Sequence, residues 1–285
     1  MQRSGDHRRT AIMVIGNSLL LEGVNFPQLQ QSVGPGYELR RLAVENTAYL
    51  DWYYGLRHIF RIGSRPDVVA LFLNPIQLTS ATMNGDYTVH LLVDREDLVS
   101  LARDIGADRN RLSSMVLANL SFSYGGRAEM RTWILDRILP GLHRLFRSSP
   151  RPQSYNFGDL VTRRLGQLRD LCVQNGTELV LVLPPARLDN GSGSVLRAAA
   201  AQHVKALVPI APGVLPASDY SDNFHLNSQG ARKFTPLLAE GLRQVVAPTV
   251  AQETHGVPSL FGKDQGSINA VDAASFGHSV ARIPR

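Results

Sequence analysis

The stretch VIGNSLLLEGV, residues 14–24, places an apolar run directly before a polar turn. Val14 and Ile15 have branched side chains of the kind that favours a buried strand, and Gly16 is predicted to permit a sharp turn. Ser18 then stands at the head of the next element. A serine in that place is a candidate nucleophile, and a nucleophilic serine needs a base to take its proton.

Outward from this stretch, short runs rich in Val, Leu and Ile alternate with longer helical patterns. Strands are predicted at 10–16, 37–44, 66–74, 177–185 and 204–210. Helical patterns cover 26–32, 48–62, several pieces within 94–147, 157–175 and 228–246. Such alternation is typical of a parallel sheet with helices on both faces. The sequence therefore predicts a three-layer α/β/α fold around a central, mostly parallel, five-stranded sheet.

The domain organisation follows from length and composition. A chain of 285 residues with 44% hydrophobic residues is long enough to bury one substantial core, which we assign to residues 10–246. Residues 79–150 are too many for a simple connection and are predicted to form a helical insertion that acts as a cap. From 247 to 285 the apolar periodicity is lost, and a loosely structured tail is expected.

The charge of the chain gives little indication of a nucleic-acid partner. The net charge is +6, but only three of the 30 basic residues are lysines (Lys205, Lys233 and Lys263), which indicates a compositional bias toward arginine. No nucleic-acid-binding motif accompanies the arginines, and no nucleic-acid partner is predicted. A modest concentration of arginines is either a surface for an anionic glycan or membrane, or simply a solvated basic face: Arg137, Arg144, Arg147, Arg151, Arg163 and Arg164.

Cofactors and disulfides are not expected. Cys172 is the single cysteine, so an intramolecular disulfide and a cysteine-based zinc site are excluded, and its apolar helical surroundings predict a buried thiol. No metal-ligand spacing such as His-x-x-x-His is present, and neither a metal nor an organic cofactor is predicted.

The N-terminal segment has the rough shape of an export signal, because two arginines precede an apolar stretch. That stretch is interrupted by Gly-Asn-Ser and lacks a small-residue cleavage site, so a cytoplasmic location is favoured. No run approaches the roughly 20 apolar residues that a transmembrane helix needs. The oligomeric state is left open.

Among the eight histidines, His225 stands out, in the stretch ASDYSDNFHLNSQGARKF, residues 217–234. Asp222 precedes it by three residues, so that one turn can present both side chains to the same crevice. A helix is predicted directly behind the pair, capped by Asn227 or Ser228. Its apolar stripe would anchor the loop that carries the pair: Phe234, Leu238, Leu242 and Val246.

Two motifs together resemble the SGNH (GDSL) hydrolase superfamily. GNSL, residues 16–19, is similar to the GDSL block of that family with Asn17 in place of the aspartate, and DNFHL, residues 222–226, matches its closing Asp-x-x-His-Leu block. The order also agrees, because the serine follows the first strand and the pair precedes the last helix. The structural alternative is that Ser18 caps a helix and His225 packs or bonds within a loop.

The resemblance implies an oxyanion hole, although the two middle blocks depart from the family pattern. Asn74, in FLNP at 72–75, matches the family's asparagine, but the glycine and aspartate beside it are absent. In VENTAYLDW, residues 44–52, Asn46 or Thr47 stands where a glycine is expected, and Thr47 is predicted to donate through its backbone or its hydroxyl. Asn74, Thr47 and Asn17 are thus the candidate oxyanion or substrate-binding residues.

The aromatic group YLDWYYGLRHIF, residues 49–60, has two interpretations. Trp52, Tyr53 and Tyr54 suit a platform on which a sugar ring stacks. The aromatic and apolar residues also fall at helical spacing, and this favours packing in the core.

The resemblance implies acyl transfer through Ser18, with His225 as base and Asp222 orienting it. The first hypothesis is a serine esterase that hydrolyses an acetyl or short acyl ester of a small molecule or of a glycan or other carbohydrate. The second is an O-acetyltransferase or accessory protein of bacterial surface-polysaccharide acetylation. The third is a catalytically idle binding protein of the same fold. The same three residues serve the first two, so the motifs alone do not separate them.

Overall fold

The structure is a computed structural model of the chain, and it describes residues 9–121, 124, 126, 157–188 and 190–246. The predicted tail, 247–285, lies outside the described residues. The same is true of residues 127–150 of the predicted insertion and of residues 151–156 after it, which together include Arg137, Arg144, Arg147 and Arg151 of the basic concentration. The predictions for these segments remain predictions.

Five parallel strands form one sheet in the order β2-β1-β3-β4-β5. They are β1 (Thr10–Gly16), β2 (Tyr37–Ala43), β3 (Val68–Phe72), β4 (Glu178–Val182) and β5 (Lys205–Leu207). The predicted five-stranded sheet is confirmed, and each predicted run contains one strand. The observed strands are mostly shorter than the runs, because apolar residues continue beyond the last paired residue, as Leu73 and Leu183 do.

Helices connect and cover the strands. They are α1 (Ser18–Gly23), α2 (Phe26–Val33), α3 (Tyr49–Arg61), α4 (Pro75–Thr79), α5 (Asp86–Leu92), α6 (Leu98–Asp104), α7 (Arg109–Leu120), α8 (Phe157–Gln174), α9 (Ser192–Ala201) and α10 (Ser228–Val245). Short 3-10 turns cover Arg95–Asp97 and Ala217–Asp219. The helical patterns predicted outside the insertion are confirmed. Helices α1, α4 and α9 were not predicted, and α1 and α4 are too short for periodicity to indicate them.

Alternate residues of the central strands enter two separate cores. Leu71 and Leu181 pack in one core with α3, α8 and α9, whereas Phe72 and Val182 pack in the other with α2 and α10. Because side chains alternate across a strand, this division requires helices on both faces of the sheet. The three-layer α/β/α architecture is therefore confirmed.

The described part of the predicted insertion is helical and packs beside α3. Leu92 of α5, Leu101 of α6 and Met115 of α7 share a core with Trp52 and Tyr54. Trp52 is 0% exposed and Tyr54 is 2% exposed, so the core-packing interpretation holds for both and neither can stack on a sugar. That residues 79–150 act as a cap is still a prediction, since much of the segment is not described.

Two further side chains settle expectations about charge and thiol chemistry. Arg164 does not belong to a solvated basic face: it is buried, donates to the carbonyls of Leu78 and Ser80 at 2.6 and 2.8 Å, and lies over the ring of Tyr49. Cys172 is buried as predicted, and desolvation raises the pKa of its thiol to about 12.

None of the described helices is both long and apolar enough to cross a bilayer.

Candidate active site

The turn after β1 places Ser18 at the first position of α1. Asn17 caps this helix, since its side-chain oxygen accepts from the Leu19 N–H at 3.0 Å and its carbonyl accepts from Leu20 and Leu21. The N–H of Ser18 lies ahead of any intrahelical acceptor, as the first N–H groups of a helix always do. The Ser18 backbone is thus available to donate to a ligand.

Gly16 is required for a reason other than the predicted one. Its φ is not in the left-handed region, so the turn does not need a glycine. A Cβ at this position would instead lie 2.7 Å from the Cβ of Phe72 on β3 and 3.1 Å from that of Leu20. The glycine permits β1, β3 and α1 to approach closely where the serine emerges.

Asn17 is a structural residue, in correction of its expected role in oxyanion or substrate binding. Its side chain is 0% exposed, and its Nδ2 donates to the carbonyl of Thr47 at 2.8 Å while its oxygen caps α1. An aspartate would accept from Leu19 in the same way but would have no proton to donate to Thr47. Asn17 therefore ties the serine turn to the loop after β2.

The loop that carries Asp222 and His225 is closed on itself before α10 begins. The N–H of Ser221 donates to the carbonyl of His225 at 2.9 Å, and a single antiparallel bridge joins Tyr220 to Leu226. Asn227 then caps α10 by accepting from Gln229 and Gly230, as one of the two predicted caps. These bonds hold the histidine at a fixed position relative to the helix.

The structure brings Ser18, His225 and Asp222 into one hydrogen-bonded line. His225 Nε2 lies 2.9 Å from Ser18 Oγ, and His225 Nδ1 lies 2.8 Å from Asp222 Oδ2. Asp222 Oδ1 accepts from the backbone N–H groups of Phe224 and His225, each at 2.7 Å. With a carboxylate at Nδ1, the neutral ring carries its proton there, and Nε2 is left to accept the serine proton.

The environment keeps Asp222 ionised. Partial burial by itself raises the pKa of Asp222, but the hydrogen bonds from the His225 ring and from the His225 and Phe224 N–H groups outweigh it and lower the pKa to about 2. The carboxylate is thus charged at neutral pH. A negative charge at Nδ1 stabilises the imidazolium that forms when His225 takes a proton.

Asn74 follows β3 and caps α4. Its Oδ1 accepts from the N–H of Gln77 at 2.8 Å, and the Gln77 side chain accepts from the Asn74 N–H at 2.9 Å. Because a backbone N–H can only donate, the amide orientation is fixed with oxygen toward α4. Its Nδ2 has no acceptor among the described residues and is left to donate to a ligand.

The Thr47 hydroxyl cannot serve as predicted, because Thr47 is buried and its Oγ1 donates to the Val44 carbonyl at 2.7 Å. The backbone N–H of Thr47 as a donor remains a prediction. Asn46 has φ 58°, the left-handed conformation that glycine adopts most readily. Asparagine tolerates this conformation better than other side chains do.

Two polar residues that sequence reasoning did not assign hold this loop. The buried Asp51 accepts from the N–H groups of Ala48 and Asn84 at 2.9 and 3.2 Å, and the Asn84 side chain donates to the Glu45 carbonyl. Desolvation raises the pKa of Asp51 despite these bonds. The sequence signal that could have indicated the Asp51 contact is a carboxyl-containing residue at the third helical position, as in a capping box.

A cavity of about 470 Å³ lies beside Ser18, at the carboxyl ends of β1, β3 and β4. In this sheet β1 and β3 are neighbours, but the connection after β1 runs to β2 on one side and the connection after β3 runs to β4 on the other side. Such a switch point is the usual ligand site of a parallel sheet. The described lining residues are Leu19, Asn74, Ile76, Pro184, Pro185, Ala186, Arg187, Leu188, Asn190, Asn223 and Phe224. Asn74 therefore lines the same cavity as Leu19 and Asn223, the residues that directly follow Ser18 and Asp222.

The described residues contain no group of three or more histidine, cysteine, aspartate or glutamate side chains placed to hold a metal ion. The polar groups that line the cavity are amides and one guanidinium. Their chemistry is that of hydrogen-bond donation to a ligand.

Gly230→Ala is expected to destabilise the protein by about 1–3 kcal/mol and to lower activity against esters. A Cβ at Gly230 would lie 2.3 Å from the carbonyl oxygen of Asp219, which accepts from the N–H of Asn227 at 2.9 Å. Relieving the clash must shift the loop that positions His225. Urea unfolding and ester kinetics measure the two effects.

The matched control is Gly241→Ala in the same helix. There the added Cβ meets only the methyl groups of Leu207, at 3.5 and 3.6 Å, which is ordinary contact. Because alanine is the better helix former, this variant is expected to gain about 0.5–1 kcal/mol. Equal stability changes in the two variants would contradict the packing assigned to Gly230.

No protein-family model matches the sequence, and no curated protein matches it. Solved structures are similar in fold. TesA has 11% sequence identity, with 83% of this chain and 99% of that chain covered and a TM-score of 0.40. The acetylxylan esterase Axe2 from Geobacillus stearothermophilus has 12% identity, 82% and 93% coverage and a TM-score of 0.40. LAE5, an alpha/beta hydrolase enzyme from the metagenome of Lake Arreo, has 10% identity, 84% and 97% coverage and a TM-score of 0.41.

Proposed function

We propose that the chain is a serine esterase of the SGNH type, acting on a carboxylic ester through Ser18, His225 and Asp222. The observation that carries this proposal is the unbroken line of hydrogen bonds from Asp222 Oδ2 through the imidazole to Ser18 Oγ, at 2.8 and 2.9 Å. These are the distances at which a base can accept the proton of a nucleophile. The line joins residues 207 positions apart, so chain proximity does not explain it.

In the proposed reaction, Ser18 Oγ attacks the ester carbonyl while His225 Nε2 accepts its proton. The charge that develops on the carbonyl oxygen is stabilised by the Ser18 N–H and by Asn74 Nδ2, with the backbone after Asn46 as a further donor. The imidazolium then gives its proton to the departing alcohol as the acyl-enzyme forms. His225 next takes a proton from water as the water attacks the acyl-enzyme. The imidazolium then returns that proton to Ser18 Oγ as the serine leaves, which releases the acid and restores the free enzyme.

An acetyl or short acyl ester of a small molecule or glycan is the proposed substrate class. The cavity of about 470 Å³ is within the range of small-molecule sites, and it has room for one ester with a compact acyl group. Transfer to a sugar hydroxyl in place of water would use the same acyl-enzyme. The ratio of transferred to hydrolysed product distinguishes an acetyltransferase from a hydrolase.

The first experiment is intact-mass labelling with a fluorophosphonate, which reacts with activated serines. A single adduct is expected on the unmodified protein and on Ser194→Ala, a control at a serine on the surface of α9, and none on Ser18→Ala. Labelling that survives in Ser18→Ala would place the reactive serine elsewhere. Absence of labelling in the folded protein would favour the idle binding protein over the esterase.

Asn74→Asp is expected to lower kcat about 100-fold while leaving stability nearly unchanged. The carboxylate keeps an oxygen for the N–H of Gln77 and still caps α4, but it replaces the Nδ2 donor by a negatively charged oxygen. Asn74→Ala, which loses both functions, is the comparison and should also lose about 1 kcal/mol of stability. Ester kinetics and thermal unfolding of both variants test the role, and unchanged kcat in Asn74→Asp would remove Asn74 from the oxyanion site.

A further inference from the structure

The polar part of the cavity beside Ser18 is lined by hydrogen-bond donors. Asn223 Oδ1 accepts from Arg187 Nη1 at 2.7 Å, and Asn190 Oδ1 accepts from the Ser192 hydroxyl. Asn74 Oδ1 is likewise occupied, by Gln77. In each asparagine the acceptor oxygen is engaged by the protein, and within the described residues the Nδ2 group has no acceptor.

The orientation of these amides follows from their partners. A guanidinium and a backbone N–H can only donate, so the oxygens of Asn223 and Asn74 must face them. The –NH2 groups of these two residues are therefore left toward ligand or solvent. A neutral sugar offers hydroxyl groups that both donate and accept, whereas the Arg187 guanidinium and these –NH2 groups can only donate.

Arg187 supplies the charge of the cavity. It is the one charged residue in the described lining and forms no ion pair within the described part of the chain, since its recorded side-chain bond is the one to the neutral Asn223. The residue before it is tied to another loop, because the N–H of Gly213 donates to the Ala186 carbonyl at 2.8 Å. A guanidinium among amide donors is suited to a carboxylate.

The remaining wall is apolar and open. Ile76, Leu188 and Phe224 are 67%, 79% and 61% exposed, and Pro184 and Pro185 form the floor behind them. Large apolar side chains exposed around a cavity indicate a ligand with an apolar portion. The lining as a whole therefore suits an ester that carries a negative charge at one end and hydrocarbon between that charge and the reacting carbonyl.

We propose that the cavity binds an ester substrate bearing a carboxylate, and that Arg187 with the Nδ2 group of Asn223 recognises that carboxylate. This inference rests on the proposed esterase function for its catalytic readout. The carboxylate belongs either to the acyl half of the ester or to its alcohol half. Both sources present the same chemistry to Arg187, and matched substrates separate them.

The kinetic test compares two pairs of esters. For the acyl half, the mono-para-nitrophenyl ester of adipate is compared with para-nitrophenyl hexanoate; for the alcohol half, para-acetoxybenzoate is compared with para-acetoxybenzamide. In one of the two pairs, kcat/KM is expected to favour the anionic ester about 10- to 100-fold, as a charge-assisted hydrogen bond allows. No preference in either pair overturns the proposal.

Variants assign that preference to Arg187. Arg187→Met is expected to abolish the ratio between the anionic and the neutral ester, and Arg187→Lys to restore part of it. Asn223→Asp, which places a carboxylate against Arg187, is expected to lower the ratio as well. Arg197→Met, at a surface arginine of α9, is the matched control and should keep the ratio. A ratio that survives Arg187→Met contradicts the assignment.

A binding measurement keeps this inference separate from the proposed reaction. In the Ser18→Ala background, calorimetry is expected to show para-hydroxybenzoate or monomethyl adipate binding about tenfold more tightly than para-hydroxybenzamide or methyl hexanoate respectively, and Arg187→Met to remove the difference. Charge-selective binding without ester cleavage would overturn the esterase proposal and keep the carboxylate site. Ester cleavage by the unmodified protein, together with equal affinities of Ser18→Ala for the anionic and the neutral ligands, would keep the esterase proposal and overturn the carboxylate site.

Discussion

Replacement of Ser18 by alanine is expected to lower kcat for ester hydrolysis by at least about 10⁴-fold. Ser18 Oγ is the atom from which His225 Nε2, 2.9 Å away, would take a proton, and the methyl group of alanine has no proton to give and no lone pair to attack with. Any remaining hydrolysis would come from direct attack by water on an ester whose carbonyl oxygen is stabilised by the oxyanion donors. Steady-state kinetics with a para-nitrophenyl ester measures the loss.

The fold should tolerate this change. Alanine suits the first position of α1, and the cap of that helix is provided by Asn17, which the substitution leaves in place. The free energy of unfolding in urea is thus expected to stay within about 1 kcal/mol of the unmodified value. His225→Ala in combination with Ser18→Ala should cost little more than Ser18→Ala alone, because the two residues act as a unit. Near-normal hydrolysis by Ser18→Ala would contradict the mechanism.

The central strands of the sheet, β1, β3 and β4, were predictable because they are largely buried on both faces. Residues of β3 are all buried, so the strand appears in sequence as a continuous apolar run, and turn residues bound each such run. The cap at Asn227 and the apolar stripe on α10 were also predictable from the sequence, and the four residues of the stripe are all buried: Phe234, Leu238, Leu242 and Val246. These features depend on local sequence and on burial alone.

The roles of Asn17 and Thr47 were not predictable in the same way. They depend on a bond between the turn after β1 and the loop after β2, 30 residues apart, which no local pattern encodes. Once that bond is formed, Asn17 is buried and unavailable to a substrate. The role of Arg164 was not predictable for the same reason. It lies in a basic stretch of sequence, and no local pattern indicates that its side chain donates to the carbonyls of Leu78 and Ser80.

The site residues were predictable as types and in order, but their approach required the fold. Ser18 follows β1 and Asn74 follows β3, and these strands are neighbours in the sheet although β2 lies between them in sequence. The cavity residue Arg187 follows β4, the next strand of the sheet. No motif marked it, and only its place in the cavity lining identified it.

Acid titration separates the part of stability that depends on the Asp222 charge. The pKa of Asp222 is lowered to about 2 in the folded protein, below its ordinary value of about 3.9 in an unfolded chain. The charge therefore contributes stability above pH about 4, and this contribution is lost as the pH falls toward 2. Because the side chain is half exposed, solvent screening limits the contribution to less than about 1 kcal/mol. Acid alone should not unfold the protein through this group.

Catalysis should depend on Asp222 far more than stability does. Asp222→Asn is expected to lower kcat about 10²- to 10⁴-fold with little change in KM. The backbone N–H groups of Phe224 and His225 both donate to Oδ1, so the asparagine must keep its oxygen there and turn its Nδ2 toward His225 Nδ1. A donor facing Nδ1 requires Nδ1 to accept, and the ring proton then moves to Nε2, which can no longer take the proton of Ser18.

Kinetics and unfolding of Asp222→Asn at neutral pH and near pH 2 test this argument. The expected result is a large loss of kcat at neutral pH together with a stability difference below about 1 kcal/mol that shrinks in acid. Asn223→Ala is the control at the neighbouring position, where the side chain bonds Arg187 and not His225, and it should retain the ring tautomer and most of kcat for neutral esters. If Asp222→Asn retained full kcat, the tautomer of His225 would be set by another group, and the proposed role of Asp222 in orienting the base would be wrong.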